Sequence, residues 1–265
     1  MLICIDIGNS NITIGVFEGE ALKFTARLAT DTRRTSDQYA IEIRDIIEIY
    51  GIELQDITDA AISSVVPTVG SAIEKAVDRL FGINPVVLGP GVKTGLNIKI
   101  DNPAQLGADL AAGAVGALAK YPTPTIIIDM GTASTISVLG KNGEFLGGVI
   151  AAGVKLTMDA LAARTAQLPS VSIEAPKKTI GTNTADCIKS GLIMGQSAML
   201  DGLITKIERE LGEKATVVAT GGLAPEVVKH CDRKIAIDDN LLLDGLRIIH
   251  SKNKYVITAK ADYKY

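Results

Sequence analysis

The chain carries one strand-and-turn pattern twice, once near its start and once near its middle. In the first copy an apolar strand ends in Asp6-Ile7-Gly8, and a second strand follows from Ile12. In the second copy an apolar strand ends in Asp129-Met130-Gly131, and a second strand follows from Thr135. A tight turn of this kind can point backbone N–H groups at an anion. Two such turns, one in each half, predict that two related domains hold a phosphate chain.

The length and the composition agree with two folded domains. A chain of 265 residues can form one large domain or two modest ones, and the internal repeat favours two. Hydrophobic residues make up 47% of the chain and charged residues 22%, which suits packed cores and indicates no disorder. The 27 Lys and Arg against 30 Asp and Glu residues give a net charge of -3 without a basic stripe, so nucleic-acid binding has no electrostatic support.

The cysteines and the apolar stretches indicate the compartment. Cys4, Cys187 and Cys231 are odd in number and far apart, in apolar or helical contexts that predict buried structural thiols in a reducing cytoplasm. The first apolar stretch contains Asp6 and follows no basic region, which is typical of a strand and not of a signal peptide. No uncharged apolar stretch reaches about 18 residues, so we expect no membrane span.

Alternating strand and helix patterns predict an α/β fold that is duplicated. The first half continues with a strand over 21–28, a helix over 36–50 capped by Ser36, a strand over 60–66, a helix over 69–81 and a strand over 85–88. The second half has strands over 125–130, 134–139 and 144–151, helices over 153–164 and 185–211, a strand over 215–219, a helix over 225–230, a strand over 234–237 and a last helix over 242–250. An Ala- and Gly-rich stretch over 103–120 predicts a connecting helix, with domains over 1–110 and 111–265.

Asp6 and Asp129 are candidate site residues because each stands where an apolar strand ends. Their carboxylates suit magnesium or a monovalent cation together with phosphates, since hard cations prefer oxygen ligands. The alternative is that each Asp only stabilises its own turn; the duplication favours the functional interpretation. Short polar side chains beside the glycines add possible donors, namely Asn9, Ser10 and Asn11 in the first copy and Thr132, Ser134 and Thr135 in the second.

Other motifs leave two interpretations open. The stretch 220–225 is either a site for a flat ligand such as adenine or an ordinary strand-to-helix turn. Gly107-Ala108-Asp109 lies in the predicted connecting helix, so Asp109 is either a partly desolvated general base or an acid that faces solvent. His230 and His250 fall at predicted helix ends and are interpreted as structural. The loop 89–95 fits no phosphate-binding motif and is predicted to be a plain loop.

These motifs also carry a resemblance to a known family. Duplicated hairpin domains with Asp-x-Gly turns resemble the superfamily of acetate and sugar kinases, actin and chaperone ATPases. From Asp6 to about Ile249 the sequence resembles the type III pantothenate kinases. The matching stretches are Asp6-Ile7-Gly8-Asn9-Ser10-Asn11, Ser63-Ser64-Val65-Val66-Pro67, Thr94-Gly95-Leu96, Asp101-Asn102-Pro103, Gly107-Ala108-Asp109, Asp129-Met130-Gly131-Thr132-Ala133-Ser134-Thr135, Gly147-Gly148, Ile180-Gly181-Thr182-Asn183-Thr184 and Ala219-Thr220-Gly221-Gly222-Leu223-Ala224.

The resemblance implies a fold and a set of roles. The fold is two ribonuclease H-like domains, each a three-stranded meander followed by helix, strand, helix and strand, with an active-site cleft between them. The reaction is phosphorylation of pantothenate by ATP with Mg²⁺, the first step of coenzyme A synthesis, in a cytoplasmic homodimer without nucleic-acid or membrane partners. The implied residues are Asp6, Ile7, Gly8, Asn9, Ser10, Asn11, Ile12, Thr13 and Thr132 for the phosphates, Asp6 for magnesium, Asp129 for K⁺ or NH₄⁺, Asp109 as the base, and Ile100, Gly107, Ala108, Asp109, Leu110 and Thr184 (the last across the dimer interface) for pantothenate.

Three positions depart from the family pattern. Leu110 stands where the family usually has Arg, Ile100 where it usually has an aromatic residue, and Ala152 where it usually has Pro. Loss of a charge-assisted contact to a carboxylate would weaken binding by about 10- to 150-fold. Two alternatives therefore stand beside pantothenate phosphorylation: a kinase for another small hydroxy acid, and a regulatory nucleotide-binding protein without turnover.

Overall fold

A computed structural model describes residues 1–261, with side chains described as far as residue 254. The chain divides into two compact units. The first contains Met1–Leu96, Asn102–Ala119 and the chain from Leu241 onward; the second contains Asn97–Asp101 and Lys120–Asn240. Residues 262–265, the end of the predicted second domain, lie outside the described residues. Among the helices that the structure describes, none has the length and apolar character needed to cross a membrane.

The helices and strands alternate much as the sequence predicts. The first part of the chain forms β1 (Leu2–Ile7), β2 (Asn11–Glu18), β3 (Ala21–Ala29), α1 (Ser36–Ile49), β4 (Asp59–Ser64), α2 (Pro67–Phe81), β5 (Val86–Val87), β6 (Asn97–Ile98) and α3 (Ala108–Lys120). The second part forms β7 (Thr125–Met130), β8 (Ala133–Leu139), β9 (Glu144–Ala152), α4 (Val154–Arg164), α5 (Thr184–Leu211), β10 (Thr216–Thr220), α6 (Ala224–Val228), β11 (Ala236–Ile237) and α7 (Leu241–Ala261). The predicted order of meander, helix, strand, helix and strand is confirmed in the first half.

The first unit contains a five-stranded sheet in the order β3-β2-β1-β4-β5, with β4 and β5 parallel to β1. Because side chains alternate between the two faces of a strand, β1 has an apolar set on each face. Ile3, Ile5 and Ile7 lie in one core with Tyr39 of α1 and Ile73 of α2. The opposite face, which we call the α3/α7 face, packs Cys4, Phe17 and Ala61 against Ala112, Val115, Leu243, Leu246 and Ile249.

Glycines allow α3 and α7 to approach closely. A Cβ at Gly116 would overlap the carbonyl oxygen of Leu241, and a Cβ at Gly245 would overlap the carbonyl oxygen of Ala112. This packing joins α7 to the first unit, together with Ala111–Ala119, so the contacts divide the chain elsewhere than the predicted boundary at residues 110 and 111. A helix that follows the second half in sequence covers the sheet of the first half because its apolar face matches the α3/α7 face.

The second unit contains a six-stranded sheet in the order β11-β10-β7-β8-β9-β6. Its strands β7, β8 and β9 form an antiparallel meander, and β10 runs parallel to β7. One face packs Ile126, Ile128 and Met130 of β7 against Leu192 and Ile193 of α5, among other residues. The arrangement repeats the central hairpin and parallel strand of the first sheet.

Several local predictions are corrected. The cap of α1 is Thr35 and not Ser36, because the Thr35 side chain accepts from Gln38 N while the Gln38 side chain accepts from Thr35 N. The predicted helix over 103–120 is broken: Pro103–Gln105 forms a 3-10 turn capped by the Asn102 side chain, Leu106 is extended, and α3 begins at Ala108. The last helix continues well past residue 250.

Candidate active site

The first Asp-x-Gly turn is held by hydrogen bonds to its backbone. Gly8 N donates to Asn11 O (3.0 Å), Thr30 N donates to Ser10 O (3.1 Å), and Thr30 Oγ1 donates to Gly8 O (2.7 Å). The side chains of Asn9, Ser10 and Asn11 are exposed. The end of β3 therefore fixes the path of this turn while its polar side chains remain accessible to a ligand.

Three polar residues stand side by side next to this turn. Asp6 of β1 is in register with Thr13 of β2 on one side and with Ser63 of β4 on the other. Two residues earlier on β1 and β4, Cys4 and Ala61 lie in the cluster on the α3/α7 face. Since residues two apart on a strand share a face, Asp6, Thr13 and Ser63 also lie on the α3/α7 face. Asp6 is half-buried there.

The direction of α7 follows from contacts at its two ends. Near its start, Leu243 approaches Gly15, which pairs with Cys4 in the middle of β1. Further along, His250 Nε2 lies 3.5 Å from Oδ1 of Asp59, the first residue of β4. The helix α7 therefore runs opposite to β1 and β4.

The direction of α3 follows from its contacts with α7. Gly116 lies against Leu241 at the start of α7, whereas Leu118 of α3 shares a cavity with Ile248 and Lys252. Ile248 and Lys252 flank His250, which lies beside the first residue of β4, so the carboxyl end of α3 lies toward the start of β4. The first turn of α3, which contains Asp109, therefore lies toward the carboxyl ends of β1 and β4, the edge where Asp6 and Ser63 stand.

Asp109 is in the first turn of α3 and not inside a longer helix as predicted. It is half-buried, and its Oδ1 accepts a hydrogen bond from Leu110 N (2.8 Å). A Cβ at position 107 would lie 2.6 Å from Asp109 Oδ1, so Gly107 leaves room for that carboxylate. The amino terminus of a helix favours a negative charge. The segment Gly107–Leu110 therefore presents one carboxylate at the edge that carries Asp6.

The second Asp-x-Gly turn is enclosed by glycines. Gly131 N donates to Ala133 O (3.1 Å), and Gly153 N donates to Thr132 O (3.1 Å). A Cβ at Gly153 would lie 2.5 Å from both the Gly131 and Thr132 carbonyl oxygens. Gly221, with φ of 95°, would place a Cβ 2.7 Å from Asp129 Oδ1. Side chains at these two positions would displace the turn, so the sequence keeps backbone close to the Asp129 carboxylate.

The two turns match at the strand ends but not in length. Asp6 pairs with Thr13, and Asp129 pairs with Thr135, so each carboxylate has a threonine beside it. Four residues separate the last strand pair of the first turn, Ile7 and Ile12, whereas three separate Met130 and Ser134. Ser134 therefore corresponds to Ile12 and not to a turn residue, and it is buried at 2% exposure. The prediction of Ser134 as an accessible donor is wrong.

The remaining predicted substrate residues belong to the second unit. Ile100 follows β6 and lies beside Gly147, where a Cβ would be 3.7 Å from Ile100 Cγ2. Thr184 is the exposed first residue of α5, directly after its cap Asn183. The structure thus gathers Gly107–Leu110 with the first turn in one unit. It places Ile100 and Thr184 in the same unit as the second turn.

Several other predictions about reactive groups are settled by burial. Burial raises the pKa of the Cys4 thiol and raises that of Cys231 to about 12, whereas Cys187 is exposed, contrary to prediction. His250 is not at a helix end but inside α7, where burial lowers its pKa.

The loop 89–95 is anchored by Asn253, which binds both the N–H and the carbonyl group of Lys93. Sequence reasoning gave Ser63 no role, although this residue of β4 belongs to the family-like stretch Ser63-Ser64-Val65-Val66-Pro67.

The site offers a metal single carboxylates with neighbouring oxygen atoms, and not a cluster of acidic side chains. Among the residues whose side chains are described, no three or more His, Cys, Asp or Glu side chains form a group that could hold a metal. Asp6 stands beside Thr13 and Asp129 beside Thr135, so a hydroxyl-bearing side chain adjoins each carboxylate. Such oxygen donors suit a hard cation that keeps water and phosphate ligands.

Two sheets of this topology, each with an Asp-x-Gly turn at the end of its first strand, define a protein of the duplicated ribonuclease H-like fold class. Solved structures share the fold. One is titled a conserved putative Baf family transcriptional activator from Campylobacter jejuni (TM-score 0.60, 18% identity, 96% of this chain and 99% of that one). Another is (R)-2-hydroxyglutaryl-CoA dehydratase component A from Acidaminococcus fermentans (TM-score 0.58, 16% identity, 94% of this chain and 95% of that one).

Sequence comparison identifies the family within this class. The family model for type III pantothenate kinase matches residues 2–206. A type III pantothenate kinase from Myxococcus xanthus is 42% identical over 253 residues, covering 96% of this chain and 99% of the relative. Another from Moorella thermoacetica is 40% identical over 253 residues, covering 96% and 100%. The chain belongs to the type III pantothenate kinase family, whose members are phosphotransferases that use ATP and a divalent metal with an alcohol acceptor.

Proposed function

We propose that this chain transfers the terminal phosphoryl group of ATP to the primary alcohol of pantothenate, forming 4'-phosphopantothenate in the first step of coenzyme A synthesis. Membership of the family supports the reaction and the acceptor. The observation that carries the mechanism is that Asp109 begins α3 at the same edge of the first sheet as Asp6. A base and a phosphate-binding turn at one edge are what this transfer requires.

Asp109 is the base that accepts the proton of the acceptor hydroxyl. Phosphoryl transfer depends mostly on positioning and on neutralising charge, so the base contributes a moderate factor, about 10² to 10⁴ in rate. Gly107 supports this role because it leaves the Asp109 carboxylate uncrowded, and the hydrogen bond from Leu110 N orients that carboxylate. The second Asp109 oxygen then faces the hydroxyl of the acceptor.

The phosphates of ATP bind the first turn from Asp6 to Thr13 and the hydroxyl of Thr132. Asp6 holds Mg²⁺, directly or through water, and the metal when bound neutralises phosphate charge. Asp129 holds a monovalent cation, K⁺ or NH₄⁺. The Met130 carbonyl oxygen supports this, since it and Asp129 Oδ1 would both lie 2.7 Å from a Cβ at Gly221 and are hard oxygen donors.

Pantothenate binds Gly107, Ala108, Asp109 and Leu110, with Ile100, and Thr184 is contributed by the second copy in a homodimer. Exposure of Thr184 at the start of α5 is compatible with a contact to another subunit. The three cysteines are free, which suits a reducing cytoplasm.

A second candidate function, phosphorylation of another small hydroxy acid, is favoured by one observation. Leu110, and not the Arg that the family usually has, adjoins Asp109.

An acceptor panel tests the acceptor and the cation together. ADP release is measured with pantothenate, shorter hydroxy acids and sugars, each in Na⁺, K⁺ or NH₄⁺. We expect pantothenate to have the highest kcat/KM, and turnover to require K⁺ or NH₄⁺. A higher kcat/KM for another acid supports the second candidate, and tight ATP binding without any transfer would show a regulatory protein.

In the same assay, the variant Leu110→Arg tests whether residue 110 contacts the carboxylate of pantothenate. It restores the charge that the family usually has next to Asp109, so KM for pantothenate should fall by about tenfold or more while KM for ATP stays unchanged. An unchanged KM for pantothenate would mean that Leu110 does not contact the acceptor carboxylate.

A further inference from the structure

Ser63 is a buried polar residue that the roles above leave without an assignment. It is 0% exposed, and its Oγ has no hydrogen-bond partner in the part of the chain that the structure describes. An unpaired buried hydroxyl is destabilising, and such groups in native proteins require a specific explanation. A partner in another state of the protein is one such explanation.

The strand pairing limits what this hydroxyl can reach. Ser63 is in register with Asp6 on the parallel strands β4 and β1, and both lie on the α3/α7 face. The next residue, Ser64, points to the opposite face, where it approaches Gly70 and exchanges hydrogen bonds with the backbone of Val66. Neighbouring strands lie about 4.8 Å apart, so rotation of the Ser63 side chain brings its hydroxyl within reach of the Asp6 carboxylate.

The lack of exposure also excludes direct contact with a ligand. A nucleotide or metal at the first turn can meet the half-buried Asp6, but not the enclosed Ser63. Any influence of Ser63 on a ligand therefore passes through the Asp6 carboxylate.

We propose that Ser63 is a positioning residue for Asp6. Its hydroxyl donates a hydrogen bond to one Asp6 carboxylate oxygen when the other oxygen faces the magnesium ion of Mg·ATP, directly or through water. This inference rests on the proposed role of Asp6. Because the hydrogen bond forms only in the nucleotide-bound state, Ser63 strengthens binding of Mg·ATP and contributes nothing to the stability of the free protein.

The test compares Ser63→Ala with the matched control Ser64→Ala in the full chain. Calorimetry measures the affinity for ATP with Mg²⁺ and with EDTA, and thermal unfolding measures stability. Ser63→Ala should weaken binding of Mg·ATP by about tenfold, leave binding of metal-free ATP unchanged, and have an equal or higher melting temperature. Ser64→Ala should lower the melting temperature, since it loses the hydrogen bonds with Val66, and leave both affinities unchanged.

Two results would overturn the inference. One is wild-type affinity of Ser63→Ala for Mg·ATP; the other is an equal loss of both affinities together with a lower melting temperature, which shows a packing role. If Ser63→Ala fails to fold, Ser63→Cys retains the volume with a weaker donor and should show a smaller loss of Mg·ATP affinity, with no loss overturning the inference. The comparison uses nucleotide affinity and not turnover, so it remains decisive if the wild type fails to phosphorylate pantothenate.

Discussion

The close approach of α3 to α7 can be tested by adding one methyl group. Gly116→Ala places a Cβ well inside 3.0 Å of the Leu241 carbonyl oxygen, closer than real Cβ atoms approach, and 3.2 Å from its carbonyl carbon. The obstacle is backbone and cannot rotate away, so the helices must separate by roughly 1 Å, which costs about 1 to 3 kcal/mol. The better helix propensity of Ala offsets only about 0.5 to 1 kcal/mol of this cost.

Gly113→Ala is the matched control in the same helix. Its Cβ would lie 3.7 Å from Leu242 Cδ1, an ordinary contact, so this variant should gain the full benefit of helix propensity, about 0.5 to 1 kcal/mol. Because the propensity gain is common to both variants, denaturant unfolding should separate them by the cost of the clash, about 1 to 3 kcal/mol. A shift of α3 also moves Asp109, and displacement of a catalytic group by about 1 Å can lower kcat by 10²-fold. Equal stability of the two variants would refute the described packing.

Three further predictions follow from the cap, the buried histidine and the second turn. Thr35→Ala should lower the free energy of unfolding by about 1 kcal/mol, whereas Ser36→Ala should change it little; equal effects in urea titrations would contradict the assigned cap. Burial lowers the pKa of His250 in the folded state below its ordinary value of 6.5. The positive charge of Lys254 also lowers this pKa, and the negative charge of Asp59 raises it by less than the two together lower it. The unfolded chain therefore binds more protons as the pH falls through 6.5, so stability should decline there, and His250→Gln should flatten the decline in urea midpoints; an equally steep decline would exclude His250. Gly221→Ala should weaken the activation of turnover by K⁺ more than it raises KM for ATP, because the new Cβ would press on Asp129 Oδ1. Unchanged activation by K⁺ would mean that Asp129 does not hold the cation.

The alternation of strands and helices was predictable because each element carries its own hydrophobic period. The strands of the first sheet and the long helix α5 lie close to the predicted ranges. The cap at Thr35 was missed by one residue, since both Thr and Ser favour that position and only the Gln38 partner distinguishes them. The assignment of α7 to the first unit could not be predicted, because long-range packing between Gly116 and Leu241 leaves no local pattern.

The candidate site, like the fold, could be predicted only in part from the sequence. The sequence locates Asp6 and Asp129 at strand ends, but a repeated motif does not reveal that the second turn is one residue shorter, which moves Ser134 into the core. Local context left Asp109 either a desolvated base or an acid that faces solvent, and it is the direction of α3 that brings this residue toward the edge that carries Asp6. Ser63 required the strand register, because no sequence pattern states which residue of β4 lies beside Asp6.

Asp109→Asn tests the central claim most directly. The substitution keeps the size of the side chain and removes the proton acceptor, so it separates chemistry from binding. Calorimetry should give an affinity for Mg·ATP close to that of the wild type, while pantothenate-dependent ADP release should fall at least about 100-fold. Near-normal turnover of Asp109→Asn with intact ATP binding would contradict the assignment of Asp109 as the base.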